Sequence, residues 1–221
     1  AGMEKFLQQL ALTGHEDYVL SYNGSLVQNV GSGEVLASRL LTGADARYLA
    51  VISQQLGVNI HAFSERQGLI APRNSRYTEL ERSHNELILT ELDFASLPDE
   101  EPILKVMMVD EPEILAQAVS RLPAEVYQNY TVVQSTPYFL EFLHPQSNKG
   151  SGVAALAEHL ALPADAIICV GDAGNDAHMI AYAGLGVAMG NATDEIKAMA
   201  DFVTHSNEDD GVAHVIERFI L

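Results

Sequence analysis

The chain has 221 residues, of which 48% are hydrophobic and 19% charged, and a formal net charge of −18 at pH 7; these values fit a globular protein with a substantial core. A field that negative repels a nucleic acid duplex, and no apolar stretch has the length of a bilayer span, nor does a charged-then-apolar leader open the sequence, so neither nucleic acid nor membrane is expected as a partner. The single Cys169 excludes an internal disulfide framework and reads as a buried small hydrophobe, which favours a reducing compartment and a cytoplasmic location; the eight His are scattered without HxxxH or HExxH spacing.

In chain order, "GMEKFLQQLAL" reads as a helix and Tyr18–Ser21 as a strand. Asn23-Gly24 is a turn signal. "SLVQNVGSGEVLASRLL" alternates around Gly31-Ser32-Gly33 as a hairpin does. The middle changes texture. Ala44–Gly57 reads as a helix, "VNIHAFS" and Ile103–Val109 as strands, "EPEILAQAVSRL" as a helix with Pro112 in its first turn, and "YTVVQS" and "YFLEFLH" as two more strands. A strand-heavy stretch of this kind predicts a separate α+β domain over 41–143, between core segments 1–40 and 144–221.

The last third alternates strictly. Gly152–His159 reads as helix, Ala166–Val170 as strand, about Asn175 to Ala183 as helix, and Leu185–Ala188 as strand. "ATDEIKAMA" is helical with Thr193 or Asp194 at its start, Phe202-Val203-Thr204 is a strand, and Gly211–Ile220 is a final helix. That order implies parallel βαβ units and one half of a doubly wound sheet.

The chemistry concentrates in "AIICVGDAGNDAHMI", Ala166–Ile180. Ligands of open α/β sheets bind beyond the carboxyl ends of the strands, where Asp172 is expected. Gly171 permits the sharp turn, and Asp176 falls in the first turn of the next helix. Two carboxylates around a small hydrated volume suit a hard cation such as Mg²⁺, and Asn175 can orient one of them or cap the helix. Lys149, just before a helix start and beside Gly150 and Gly152, can bring an ammonium to a phosphate. Each residue alone also has a plain structural explanation: acids at these positions serve capping and the helix dipole, and a loop lysine is ordinarily solvated. The full string "VGDAGND" closing a buried strand, with a lysine opening the preceding helix, favours the chemical one.

"NKGSGVAALAEHL", "VGDAGNDAHMIAYAGLGVAMGNA" and "FVTHSNEDDGVAHVIERF" together resemble the Cof-type branch of the haloacid dehalogenase-like hydrolases. "YVLSYNGSLVQN" resembles it too, and "LKVMMVDEPEIL" with "TPYFLEFLHPQSNKG" is most similar to its bacterial sugar-phosphate phosphatases. The resemblance spans essentially the whole chain. It implies an α/β fold with a doubly wound, Rossmann-like parallel-sheet core and an inserted α+β cap domain. It also implies Mg²⁺-dependent hydrolysis of small phosphorylated metabolites, sugar phosphates foremost, through an aspartyl phosphate. Carried over residue by residue, Asp172 is a direct Mg²⁺ ligand and Asp176 supports the metal directly or through water. Asn175 belongs to the metal and phosphate shell, Lys149 neutralises the phosphoryl group and the nucleophile, and Asn148 touches the phosphate. Asn23 and Gly24 match an Asn-Gly element near the cleft.

The family's Asp-x-Asp-Gly-Thr motif, which supplies nucleophile and general acid/base, is absent: no D-x-D occurs in the 221 residues. Asp110 follows an apolar strand, but Pro112 stands where the second Asp would be, so Asp110 is expected to cap the helix that follows. The opening "AGMEKFLQQL" matches the helix that comes after the family's Thr/Ser motif. The expectation is an N-terminally incomplete core, no activity in the chain as written, and association with a partner or a second copy through an exposed core edge. A phosphomutase and a catalytically silent binding remnant are the alternatives.

Overall fold

The computed structural model describes residues 4–221; Gly2 and Met3 of the first expected helix lie outside them. In chain order the elements are α1 (Glu4–Gln9), β1 (Tyr18–Ser21), β2 (Leu26–Asn29), β3 (Val35–Ser38), α2 (Gly43–Leu56), β4 (Asn59–Ser64) and β5 (Gly68–Ala71). Then come α3 (Arg76–His84), β6 (Leu89–Glu91), β7 (Ile103–Val109), α4 (Pro112–Ser120), α5 (Ala124–Asn129), β8 (Thr131–Thr136) and β9 (Phe139–Leu143). The last third holds α6 (Lys149–His159), β10 (Ile168–Gly171), α7 (Ala177–Tyr182), β11 (Leu185–Ala188), α8 (Asp194–Met199), β12 (Phe202–Val203) and α9 (Gly211–Phe219). No helix of the described residues is long and apolar enough to cross a membrane. The chain divides into two compact units: one of 4–18, Asn29–Gly33 and Ser38–Gln146, the other of Val19–Gln28, Glu34–Ala37 and Ser147–Leu221.

The first unit is built on a six-stranded sheet of order β6-β5-β4-β7-β9-β8, antiparallel except between β5 and β6. Side chains alternate across a strand, so Ile60 and Ala62, Val106 and Met108, and Leu140 and Phe142 turn to one face. There they join Ala46, Leu49 and Ile52 of α2 and Leu115 and Ala118 of α4 in one buried core. Helix α2 has clear sequence punctuation. Thr42 caps its start in a reciprocal capping box with Asp45, and Gly57 ends it in the left-handed conformation at φ 76°.

Helix α3, not expected from the sequence, serves the other face. Its "RYTELERSH" lacks an apolar period and buries only Tyr77 and Thr78. Thr78 meets His61 on β4, the Tyr77 ring stacks on Tyr138, and Glu81 pairs with Lys105 of β7. β5, β6 and α5 are likewise not expected; each is only three to six residues long.

Asp110 does not cap α4. Pro112 occupies the first helical position, which makes Glu111 the cap residue and leaves Asp110 one residue too early. Its carboxylate instead accepts from the Glu111 N–H at 3.0 Å and from the Asn59 N–H and Nδ2 at 3.2 and 2.7 Å, tying the start of β4 to the end of β7.

The second unit carries the parallel sheet. β10, β11 and β12 lie in that order, with Ile168 opposite Leu185 and Val187 opposite Phe202. Helices α7 and α8 connect them, and Ile180, Ala188, Ala192 and Ile196 form the core between. This is the Rossmann-type βαβ arrangement expected of the last third. β1, β2 and β3 form a separate three-stranded sheet, with β2 and β3 neighbours on either side of the Gly31–Gly33 turn.

His61 generates a pH prediction. Its ring is wholly buried, with Nδ1 3.1 Å from Thr78 Oγ1 and Nε2 3.2 Å from Met107 Sδ. Burial, helped by the Lys105 charge, lowers its pKa from 6.5 to about 3. Between those values the unfolded chain binds a proton that the folded chain refuses, so stability falls as pH drops through this window, by about 1.4 kcal/mol per unit at most. Denaturant titrations from pH 7 to 3.5 should show that slope flattened in His61→Gln, and an equal slope in both proteins would assign it to other groups.

Candidate active site

β10 ends at Gly171, where a side chain is impossible: an added Cβ would lie 2.5 Å from the Cβ of Asp176. The chain turns there into a short 3₁₀ segment, Gly174–Asp176, that leads into α7. Asp176 is only 3% exposed. Its Oδ2 accepts the N–H groups of Asp172 and Ala173, each at 3.0 Å, and its Oδ1 accepts Lys149 Nζ at 2.6 Å. The loop thus folds its own backbone around this carboxylate, and the ammonium completes its set of partners.

Lys149 is the first residue of α6, which starts three residues earlier than the apolar pattern indicated. Asn148 is the cap: its Oδ1 accepts the Ser151 N–H at 2.8 Å, and Ser151 Oγ accepts the Asn148 N–H at 3.1 Å. A Ser can close this reciprocal cap, and the three small residues Gly150, Ser151 and Gly152 concealed the helix start from a reading of apolar spacing. The side-chain oxygen of Asn148 is therefore committed to the helix.

Asn23 and Gly24 sit in a 3₁₀ turn, Tyr22–Gly24, with φ of 55° and 87°. Gly24 is pressed so close that a Cβ would stand 2.3 Å from the Asn148 carbonyl oxygen, a contact only glycine permits. That approach places the turn against the start of α6 and lets Asn23 Oδ1 accept Asn175 Nδ2 at 3.3 Å. Among the described residues, two buried side-chain oxygens have no hydrogen-bond partner, Ser25 Oγ and Ser147 Oγ. They directly follow Gly24 and directly precede Asn148.

All six sequence-derived candidates lie in the second unit. Direct bonds join Lys149 to Asp176 and Asn23 to Asn175, and Asp176 holds the backbone N–H of Asp172. The Asp172 side chain is exposed and joins a residue that the sequence did not single out: its Oδ2 accepts Asn191 Nδ2 at 2.9 Å. The signal for Asn191 was positional. It lies three residues beyond the end of the buried strand β11, and Asp172 immediately after the end of β10.

No group of three His, Cys, Asp or Glu among the described residues is arranged to hold a metal. The donors fit a hard cation nonetheless, since Mg²⁺ takes one or two carboxylates and fills its remaining positions with water and phosphate oxygens. Of the two carboxylates, Asp172 is exposed and Asp176 buried. Cys169 on β10 is 6% exposed, and burial, with the Asp176 charge second, raises its thiol pKa. Its role is packing.

Comparison with known proteins finds that a model of the haloacid dehalogenase-like hydrolase family matches residues 1–216. A Bacillus subtilis protein named "Putative phosphatase YxeH" is 37% identical over 222 residues, spanning 100% of this chain and 82% of its own. A Streptococcus pyogenes protein, "Putative phosphatase M6_Spy0533", is 35% identical over 225 residues with the same coverage. Among solved structures, a haloacid dehalogenase-like hydrolase from Bacteroides thetaiotaomicron superposes with a TM-score of 0.84 at 29% identity, over 98% of this chain and 82% of that one.

The Lys149–Asp176 pair can be weighed as structure alone. Lys149→Met leaves a buried carboxylate with its two amide partners and no counter-charge. Because the Lys149 side chain is 35% exposed, solvent moderates the loss, and a destabilisation of about 1–3 kcal/mol is expected in urea denaturation. A variant as stable as the parent would show that the two amides alone suffice.

Proposed function

This chain belongs to the haloacid dehalogenase-like hydrolases, in their Cof-type branch, and we propose that it is a Mg²⁺-dependent phosphatase of small phosphorylated metabolites, with sugar phosphates its substrate class. The observation that carries the proposal is the bond of Lys149 Nζ to buried Asp176 Oδ1 at 2.6 Å, beside the loop that closes β10. It fixes a cation at the strand ends, where a phosphate binds in folds of this kind. The sugar-phosphate assignment draws on the likeness of "LKVMMVDEPEIL" and "TPYFLEFLHPQSNKG" to phosphatases of that class.

In this mechanism Lys149 offsets the charge of the phosphoryl group, and Asp176 keeps the ammonium in place while holding the Asp172 loop. Asp172 would hold Mg²⁺, with Asn175 beside it, oriented by Asn23. The cation, when bound, supplies charge stabilisation to the phosphoryl oxygens. The nucleophile is an Asp carboxylate from an Asp-x-Asp element outside these 221 residues, which contain no such pair. Its oxygen attacks phosphorus, the P–O bond to the substrate alcohol breaks with a proton passed to the leaving oxygen, and water then hydrolyses the acyl phosphate.

Hydrolysis of p-nitrophenyl phosphate by the natural full-length protein with Mg²⁺ should fall at least about 100-fold in Lys149→Ala and in Asp172→Ala. Undiminished turnover in either would remove that residue from the site. The 221 residues alone are expected to show none, and steady turnover by them would overturn the external nucleophile. Release of inorganic phosphate from a panel of sugar phosphates, against formation of an isomeric phosphate ester, separates a phosphatase from a phosphomutase. A protein that did neither would be the silent binding remnant.

A further inference from the structure

Three loops leave the carboxyl ends of β10, β11 and β12. The one after β11 turns tightly, with the Ala192 N–H donating to the Met189 carbonyl at 2.9 Å. At its centre Gly190 is pressed against the loop after β12. Its N–H donates to the His205 carbonyl at 2.9 Å, and an added Cβ would stand 2.7 Å from the Ser206 nitrogen. Asn191 comes next and faces both ways. Its Nδ2 donates to Asp172 Oδ2 at 2.9 Å, and its Oδ1 accepts the Asn207 N–H at 3.0 Å.

One carboxamide therefore joins all three strand-end loops. The bond pattern also fixes its orientation, since a carboxylate requires the NH₂ and a backbone N–H requires the oxygen. Neither an ionised carboxylate nor an ammonium could serve both neighbours: the first has no hydrogen to donate to Asp172, and the second has no lone pair to accept from Asn207.

Given Asp172 as the cation ligand proposed above, we infer that Asn191 is a positioning residue for that ligand and the link between the cation and the acidic 206–210 loop. By holding one oxygen of an exposed carboxylate, Asn191 sets the rotation of the whole group and so the direction in which the other oxygen is offered. Partners of this kind that orient a ligating side chain typically change metal affinity 10- to 100-fold when lost. Through Asn207, the same amide makes the loop that carries Glu208, Asp209 and Asp210 respond when Asp172 is occupied.

The test titrates the natural full-length protein with Mn²⁺, followed by electron paramagnetic resonance, together with amide NMR during a Mg²⁺ titration. Asn191→Ala should bind Mn²⁺ about 10- to 100-fold more weakly, and the Asn207 amide resonance should move on Mg²⁺ addition in the parent and stay still in Asn191→Ala. Gly190→Ala, which leaves residue 191 intact but drives the turn off the 205–206 backbone, should weaken binding likewise and keeps the inference testable should Asn191→Ala fold poorly. Asp172→Ala separates the cation site from the positioning role. If it binds Mn²⁺ as the parent does, the cation site itself is misplaced. If it loses binding while Asn191→Ala and Gly190→Ala keep parental affinity, the site stands and the positioning role falls. An Asn207 resonance that still moves in Asn191→Ala overturns the link to the loop.

Discussion

A carboxylate withdrawn from water must be met by donors or by opposite charge, or its burial is costly. Asp176 satisfies that constraint with two N–H groups of its own loop and the ammonium of Lys149, and much of the second unit is organised by the result. The two amides shape the turn after β10 and so decide where Asp172 stands. The ammonium ties that turn to the first residue of α6. Because α6 is capped by Asn148 and packed against Gly24, the same carboxylate indirectly places Asn23 beside Asn175. The residue expected to act as a second metal ligand thus has a wider role: it is the fixed point from which the neighbouring groups are positioned.

The legibility of this site follows from how local its geometry is. Asp172, Asn175 and Asp176 lie within five consecutive residues at a strand end, and Lys149 opens the preceding helix, so backbone periodicity alone brings them near one another. Asn191 depends on something no short window contains. It reaches Asp172 only because Gly190 allows the β11 loop to touch the β12 loop, and nothing in "MGNA" announces which neighbour the side chain will meet. Asn23 is intermediate: its turn could be read from Asn-Gly, but its partner could not.

The same distinction runs through the fold. β1, β7 and β11 appear in the sequence with their observed boundaries, because each is an apolar run bounded by clear breaks. α2 is legible to within a residue from its cap and its glycine. α3 is not, since a helix on a polar, ring-bearing sheet face needs no apolar stripe. Its hold comes from Tyr77 against Tyr138, Thr78 against His61 and Glu81 against Lys105, contacts with partners 17 to 61 residues away in sequence. Asp110 shows a subtler limit. The helix start was correctly sensed there, but Pro112 sets the first turn one residue later than an Asp cap would require.

Charge gives the site its remaining constraint. The second unit holds three Lys or Arg against twelve Asp or Glu, so a phosphate approaching it meets a repulsive field at long range. Salt screens that field beyond about 8 Å at physiological ionic strength, whereas a cation in contact with the phosphate acts almost unscreened. Of the three positive side chains, Arg218 lies over the rings of Phe202 and Phe219 and Lys197 is on α8. Lys149 alone stands beside Asp176. On the function proposed above, the anchored ammonium of Lys149 and the exposed carboxylate of Asp172 would complement each other, because in so acidic a unit an anion needs the local positive charge that a divalent cation on Asp172 would add to that of Lys149.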